Sequence, residues 1–211
     1  MCCIASIEEA YMAISVGADA LGLVAKMPSG PGPISDDVIR EICEHVPPSV
    51  STFMLTSEIM ADAIAAHVER TRPTTVQIVY PIDAAQSRRL YALKLPVKIV
   101  QVVHIENISA LNSIEQYSPY IDAFLLDSGR PGLATPTLGG TGNTHDWTIS
   151  GAFVEASPKP VFLAGGLAAD NVQAAIKAVR PFGVDICSRV RTDTKLDNIK
   201  LKAFMKAVKS L

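Results

Sequence analysis

Three segments of the chain carry residues whose types and spacing suit acid catalysis on a phosphorylated molecule. The first is LLDSGRPGLATPTLGGTGNTHDW at 125–147, where Asp127 ends an apolar run and a long glycine-rich connection follows. Connections longer than about 12–15 residues inside a compact domain are usually functional or disordered. The GGTG motif, with Gly139, Gly140 and Gly142, and the nearby Trp147 favour a structured active-site loop. The second segment is LAGGLAADN at 163–171, in which Gly165 and Gly166 leave backbone amides unobstructed just ahead of an expected helix start near Asp170. Amides and the positive end of a helix dipole together suit a phosphate group. The third is VDICSRVRTD at 184–193, where the amides around Ser188 and Arg189 would form the other half of the same cradle, with the Arg189 cation reinforcing it.

These segments need a scaffold that brings their ends together. Short apolar or β-branched runs occur at 1–5, 20–25, 50–55, 75–79, 97–103, 123–127, 160–164 and 183–187. Helical patterns lie between and after them, at 7–16, 35–45, 57–70, 83–93, 109–117, 146–156, 170–179 and 197–210. Start signals such as Ser35 followed by two aspartates mark several of these helices. Strands alternating with helices imply parallel pairing through right-handed crossovers, and eight such units close into a (β/α)8 TIM barrel. We therefore expect an α/β protein whose residues 1–211 form one barrel domain. A doubly wound open sheet is the alternative, but no GxGxxG turn follows the first run. In a barrel, Asp127 ends the sixth strand on the face where catalytic residues stand, and the seventh and eighth strands end where barrels often bind phosphate.

Composition narrows the class further. The chain has 211 residues, is 48% hydrophobic and 19% charged, and carries a formal charge of −2. That balance fits a well-buried α/β domain and gives no reason to expect nucleic acid or an anionic membrane as partner. No apolar run is long enough for a membrane span, and the start lacks the pattern of a signal peptide, so a cytoplasmic protein is expected. Cys2, Cys3, Cys43 and Cys187 fit no zinc spacing and are expected to be free thiols, with no metal bound. The expected partner is a small phosphorylated substrate, and the protein works as a monomer or homodimer.

LLDS at 125–128, GGTG at 139–142, DW at 146–147 and LAGGLAADNV at 163–172 together resemble the phosphoribosylanthranilate isomerase family of tryptophan biosynthesis. The similarity runs the length of the chain through GADALGLV at 17–24, VDICS at 184–188 and TKLDNIKLKAF at 194–204. The resemblance implies an Amadori rearrangement of an aminoaldose phosphate to an aminoketose phosphate, without metal or organic cofactor. It assigns Asp127 as the general acid that opens the furanose ring and, by matching MCCIAS to the family's KICGIT, Cys2 as the general base. For those roles the Asp127 pKa must rise from about 3.9 and the Cys2 pKa must fall below about 8.5. The sequence also departs from the family. MPSGPGPIS at 27–35 lacks the arginine that meets the anthranilate carboxylate, QIVY at 77–80 replaces QLHG, SRVR at 188–191 replaces SGVE, and Cys3 stands where the family has glycine. These departures keep two alternatives open: a sugar-phosphate-binding barrel without catalysis, and an isomerase for another phosphorylated aminosugar. His104 is a second candidate base.

Overall fold

The computed structural model describes residues 1–129 and 144–210. Seven parallel strands follow one another around the sheet in chain order: β1 Ala20–Val24, β2 Ser51–Thr56, β3 Thr75–Ile78, β4 Lys98–His104, β5 Ala123–Asp127, β6 Val161–Leu163 and β7 Gly183–Val184. The helices α1 Ile7–Ser15, α2 Asp36–His45, α3 Ala61–Thr71, α4 Ala84–Ala92, α5 Asn112–Tyr117, α6 Trp147–Ala156, α7 Val172–Val179 and α8 Asn198–Lys209 alternate with them. The expected α/β barrel is the observed architecture.

Two layers of apolar packing explain the curl. Val100 and Val102 of β4 and Leu125 of β5 point into the barrel, whereas Ile99, Val103, Phe124 and Leu126 point out towards the helices. This is the period-2 alternation of a strand buried on both faces. Side-chain caps set several helix starts: Ser6 accepts from Glu9 N at 3.3 Å, Asp83 from Gln86 N at 2.8 Å and Asp146 from Thr148 N at 2.8 Å.

Several expected elements are corrected. The run at 1–5 is not a regular strand; it lies extended between β1 and the segment after β7 and bonds to both, as described below. The run at 183–187 contributes only Gly183–Val184 to the sheet before a short 3-10 helix, Ser188–Val190, takes over. The helix expected from 57 starts at Ala61, because the Ser57 hydroxyl donates to the Lys26 carbonyl at 3.0 Å instead of capping a helix. The helix expected over 109–117 divides into a 3-10 turn, Ile108–Leu111, and α5. A hairpin that the sequence pattern did not suggest, β8 Arg191–Thr192 with β9 Lys195–Leu196, follows the 3-10 turn. Its two turn residues, Asp193 and Thr194, both have positive φ, as a tight hairpin with the right twist requires.

Candidate active site

The first run reaches the barrel mouth through a bulge. Gly22 N donates to Met1 O at 2.8 Å and Ile4 N donates to Gly22 O at 3.0 Å. A regular parallel ladder leaves one residue between such bonds, and here two residues, Cys2 and Cys3, occupy that space. On the other side, Cys2 N donates to Ile186 O at 2.8 Å, so the run closes the circle between β1 and the chain after β7. Cys3 absorbs the extra residue with φ of 61°, the left-handed conformation that a glycine takes without cost. As a result Cys2 and Cys3 both face the barrel interior, and Ile4 faces the helices. Two glycines make the room. A Cβ on Gly22 would lie 3.0 Å from Cys2 Sγ, and one on Gly32 would lie 2.7 Å from Cys3 Cβ.

Arg191, at the start of β8, pins the bulge from outside. Its guanidinium donates to the carbonyls of Cys2 and Cys3 and pairs with Glu9 of α1 at 3.0 Å. Glu9 in turn accepts from Leu196 N at 2.8 Å and Ala5 N at 3.1 Å. The SRVR departure thus places a cation where it holds the first run, α1 and the hairpin together.

Asp127 ends β5 in register with His104 of β4, and its Oδ1 accepts from Ser128 N at 2.7 Å. Removal from water in the mouth pushes its carboxyl up to about 6, against the Ser128 amide bond, which favours the charged form. That meets the requirement for an acid working near neutrality. His104 donates through Nε2 to the Val79 carbonyl at 3.0 Å and lines a separate recess with Ile82, Asn107 and Tyr117, so it does not share the central cavity. His145 bonds Ser150 of α6 at 2.7 Å, a local structural contact.

The central cavity brings Asp127 together with Cys2, Gly165, Gly166 and Ser188. Gly165 has φ of 83° and passes so near that a Cβ there would lie 3.0 Å from Ser128 N and 3.1 Å from Asp127 Oδ1. Glycine is therefore required for the loop after β6 to pass the acid. Asn171 fastens that loop by accepting from Ala168 N at 2.8 Å and donating to Gly166 O at 3.0 Å, and α7 begins one residue later than this anchor. Ser188 opens the 3-10 turn and lines the same cavity as Gly165 and Gly166. Arg189 is exposed on that turn and is not among the residues lining the cavity. Gly139, Gly140 and Gly142 lie outside the described residues.

Cys3, Cys187, Asp185 and Gln77 also line this cavity, and sequence reasoning missed all four. Asp185 and Cys187 are two residues apart on an extended segment, so a strict period-2 reading of VDICS places them on one face. Burial pushes the Asp185 carboxyl up to about 6, assisted by the neighbouring Cys2, while the Met1 ammonium at 3.3 Å opposes the shift. The sulfurs form a cluster: Cys3 Sγ lies 2.6 Å from Cys187 Sγ and 3.9 Å from Cys2 Sγ. One negative charge is most stable on Cys187, where thiol donors from Cys2 and Cys3 and the charge of Arg191 lower its pKa. The same arrangement pushes Cys2 up to about 12, chiefly through its hydrogen bond with Cys187 and its burial. The lowered Cys2 pKa expected from the family role is therefore not met in the free protein. Among the described residues, no lysine or arginine lines the cavity, and the MPSGPGPIS segment presents only Met27, Ser29, Gly30 and Pro31 to it.

The model of the N-(5'phosphoribosyl)anthranilate isomerase family matches residues 1–207. The chain belongs to this family. Its relatives include N-(5'-phosphoribosyl)anthranilate isomerase 2 of Methanosarcina mazei, 33% identical over all of this chain and 93% of the relative. The crystal structure of phosphoribosyl anthranilate isomerase from Thermotoga maritima superposes with a TM-score of 0.82 at 28% identity, over 100% of this chain and 98% of that one. A further structure of the isomerase, solved in complex with reduced 1-(o-carboxyphenylamino)-1-deoxyribulose 5-phosphate, has a TM-score of 0.79 at 25% identity over 100% and 97% of the two chains. No helix among the described residues is long and apolar enough to cross a membrane.

Proposed function

We propose that the chain converts N-(5'-phosphoribosyl)anthranilate into 1-(2-carboxyphenylamino)-1-deoxyribulose 5-phosphate, as a cytoplasmic monomer or homodimer. The observation that carries this reading is one cavity lined by a carboxyl raised to about 6, a thiol cluster, two glycines and Ser188. The amides around Gly165, Gly166 and Ser188 hold the phosphate, and the dipole of α7 assists them. Asp127 gives its proton to the furanose ring oxygen, the C1–O bond breaks, and the nitrogen lone pair forms the C1=N bond of a protonated Schiff base. Cys2 then removes the C2 proton, and the C–H electrons move to form the enolamine, which tautomerises to the ketone. The thiolate needed for this step forms when a proton passes from Cys2 to Cys187, so the single charge of the cluster moves to the working sulfur. General acid–base steps of this kind contribute about 10²–10⁴-fold each.

Among the described residues the lining holds no lysine or arginine, which favours a second reading, an isomerase for a phosphorylated aminosugar that lacks the carboxylate. Complementation of a tryptophan auxotroph deficient in this isomerase, with an upstream-extended version as control, separates the two. Growth supports the first reading. Absence of growth from a folded protein that binds phosphate supports the second.

A further inference from the structure

The three-sulfur cluster has a chemistry of its own. The backbone bond described at the seam between the first run and the last strand segment is Cys2 N to Ile186 O, and the Cys3 and Cys187 sulfurs face each other across that same seam at 2.6 Å. This is well inside the reach of unbonded sulfur atoms and about half an ångström beyond the ~2.05 Å of a covalent S–S bond. Only the bulge makes the approach possible, because a regular strand would turn Cys3 towards the helices. Cys3 and Cys187 both line the cavity, but Cys187 is partly exposed and Cys3 is buried at 4% exposure, so a small solute reaches Cys187 first. Cys43 lies elsewhere, on α2. Among the described residues, no group of three or more His, Cys, Asp and Glu is arranged to hold a metal ion.

We propose that Cys3 and Cys187 form a disulfide-forming site, closed by a hydroperoxide and reopened by a dithiol, that staples the two ends of the barrel across its seam. In the first step the Cys187 thiolate attacks the O–O bond of the hydroperoxide. An S–O bond forms, the O–O bond breaks, and the leaving alkoxide or hydroxide takes a proton. In the second step the Cys3 sulfur attacks the resulting sulfenic acid, the S–O bond breaks, and water leaves with the Cys3 proton. Two thiols and one hydroperoxide give one disulfide, one alcohol or water from the hydroperoxide, and one further water. The charge that the cluster keeps on the cavity-facing sulfur is the form that reacts, since the thiolate is the nucleophile.

The site does not depend on the isomerase reading, and its test does not use turnover. The full chain is treated with hydrogen peroxide, then examined by intact mass, peptide mapping with fragmentation, and thermal unfolding before and after dithiothreitol. The expected product is two hydrogens lighter, with Cys3 joined to Cys187. Cys2→Ser and Cys43→Ser still form the bond, and Cys3→Ser and Cys187→Ser do not. Because the bond ties residues near opposite ends of the chain, the thermal midpoint rises by about 5–15 °C on oxidation and returns on reduction. The wild-type map is decisive even where a variant fails to fold. A bond mapped to Cys2, sulfinic acid accumulating at Cys187 without a crosslink, or an oxidised protein no more stable than the reduced one overturns the proposal.

Discussion

Replacing Asp127 with asparagine should remove activity and raise stability in a pH-dependent way, two effects that a loop-capping aspartate cannot produce together. Burial lifts the carboxyl from 3.8 to about 6 in the folded protein. A shift of roughly two units corresponds to about 3 kcal/mol at most. The sign follows from proton binding: between about pH 4 and 6 the folded chain holds this proton more often than the unfolded chain does. Wild-type stability therefore falls as pH rises through that window and stays lower above it. Asparagine keeps an oxygen for the Ser128 amide, at 2.7 Å in the wild type, but has no charge to bury. Asp127→Asn should match the wild type near pH 4 and exceed it by up to about 3 kcal/mol at pH 8, as read from urea denaturation at both values. Turnover should fall on the order of 10²–10⁴-fold, because an amide cannot deliver the ring-opening proton. In the wild type, kcat/KM should decline above pH about 6 as the acid deprotonates. A variant destabilised at both pH values, or one that turns over at near wild-type rate, would refute the argument and leave Asp127 as a cap for the loop.

The remaining tests address the thiols, the bulge and the far end of the ligand. Cys2→Ser should lose most activity, and Cys187→Ser should move the pH midpoint of iodoacetamide labelling at Cys2 from about 12 towards the free value of about 8.5, since the neighbour that lifts it is gone. An unchanged midpoint would show that burial alone holds the thiol up. Arg191→Met strips the guanidinium from Glu9 and from the Cys2 and Cys3 carbonyls, and breaking such a buried pair should cost about 3 kcal/mol in denaturant titrations. A loss below roughly 0.5 kcal/mol would place the pair in the class of surface bridges. Inorganic phosphate or ribose 5-phosphate should bind measurably by calorimetry, whereas the reduced carboxyphenylamino analogue should gain little from its carboxylate, because no described cation lines the cavity. A guanidinium contact is worth about 1.5–3 kcal/mol, roughly 10–150-fold, so a carboxylate preference above about 100-fold would reveal another cation in its place.

The sequence by itself determined the parts of this protein that depend on local period and local chemistry. AFLLD is a buried strand ending in an acid because its residues alternate between two apolar faces, and that alone places Asp127 at the barrel mouth. Gly165, Gly166 and Ser188 were legible as residues of the barrel mouth because each stands just after a strand-like run, at 160–164 or 183–187. MCCIA, by contrast, reads as an ordinary strand with Cys2 inward and Cys3 outward. Only the bonds from Met1 and Ile4 to Gly22, with Cys187 brought from the other end of the chain, turn both sulfurs inward and decide where the charge rests. Asp185 acquires its raised pKa from burial and from Cys2, and Arg191 its role from Glu9 and two distant carbonyls. The charge on Cys187, the Asp185 shift and the Arg191 pairing arise from contacts between residues more than 180 positions apart, which no pattern along the chain encodes. The sequence specifies the barrel and the groups it presents, while closure of the seam determines their protonation and reactivity.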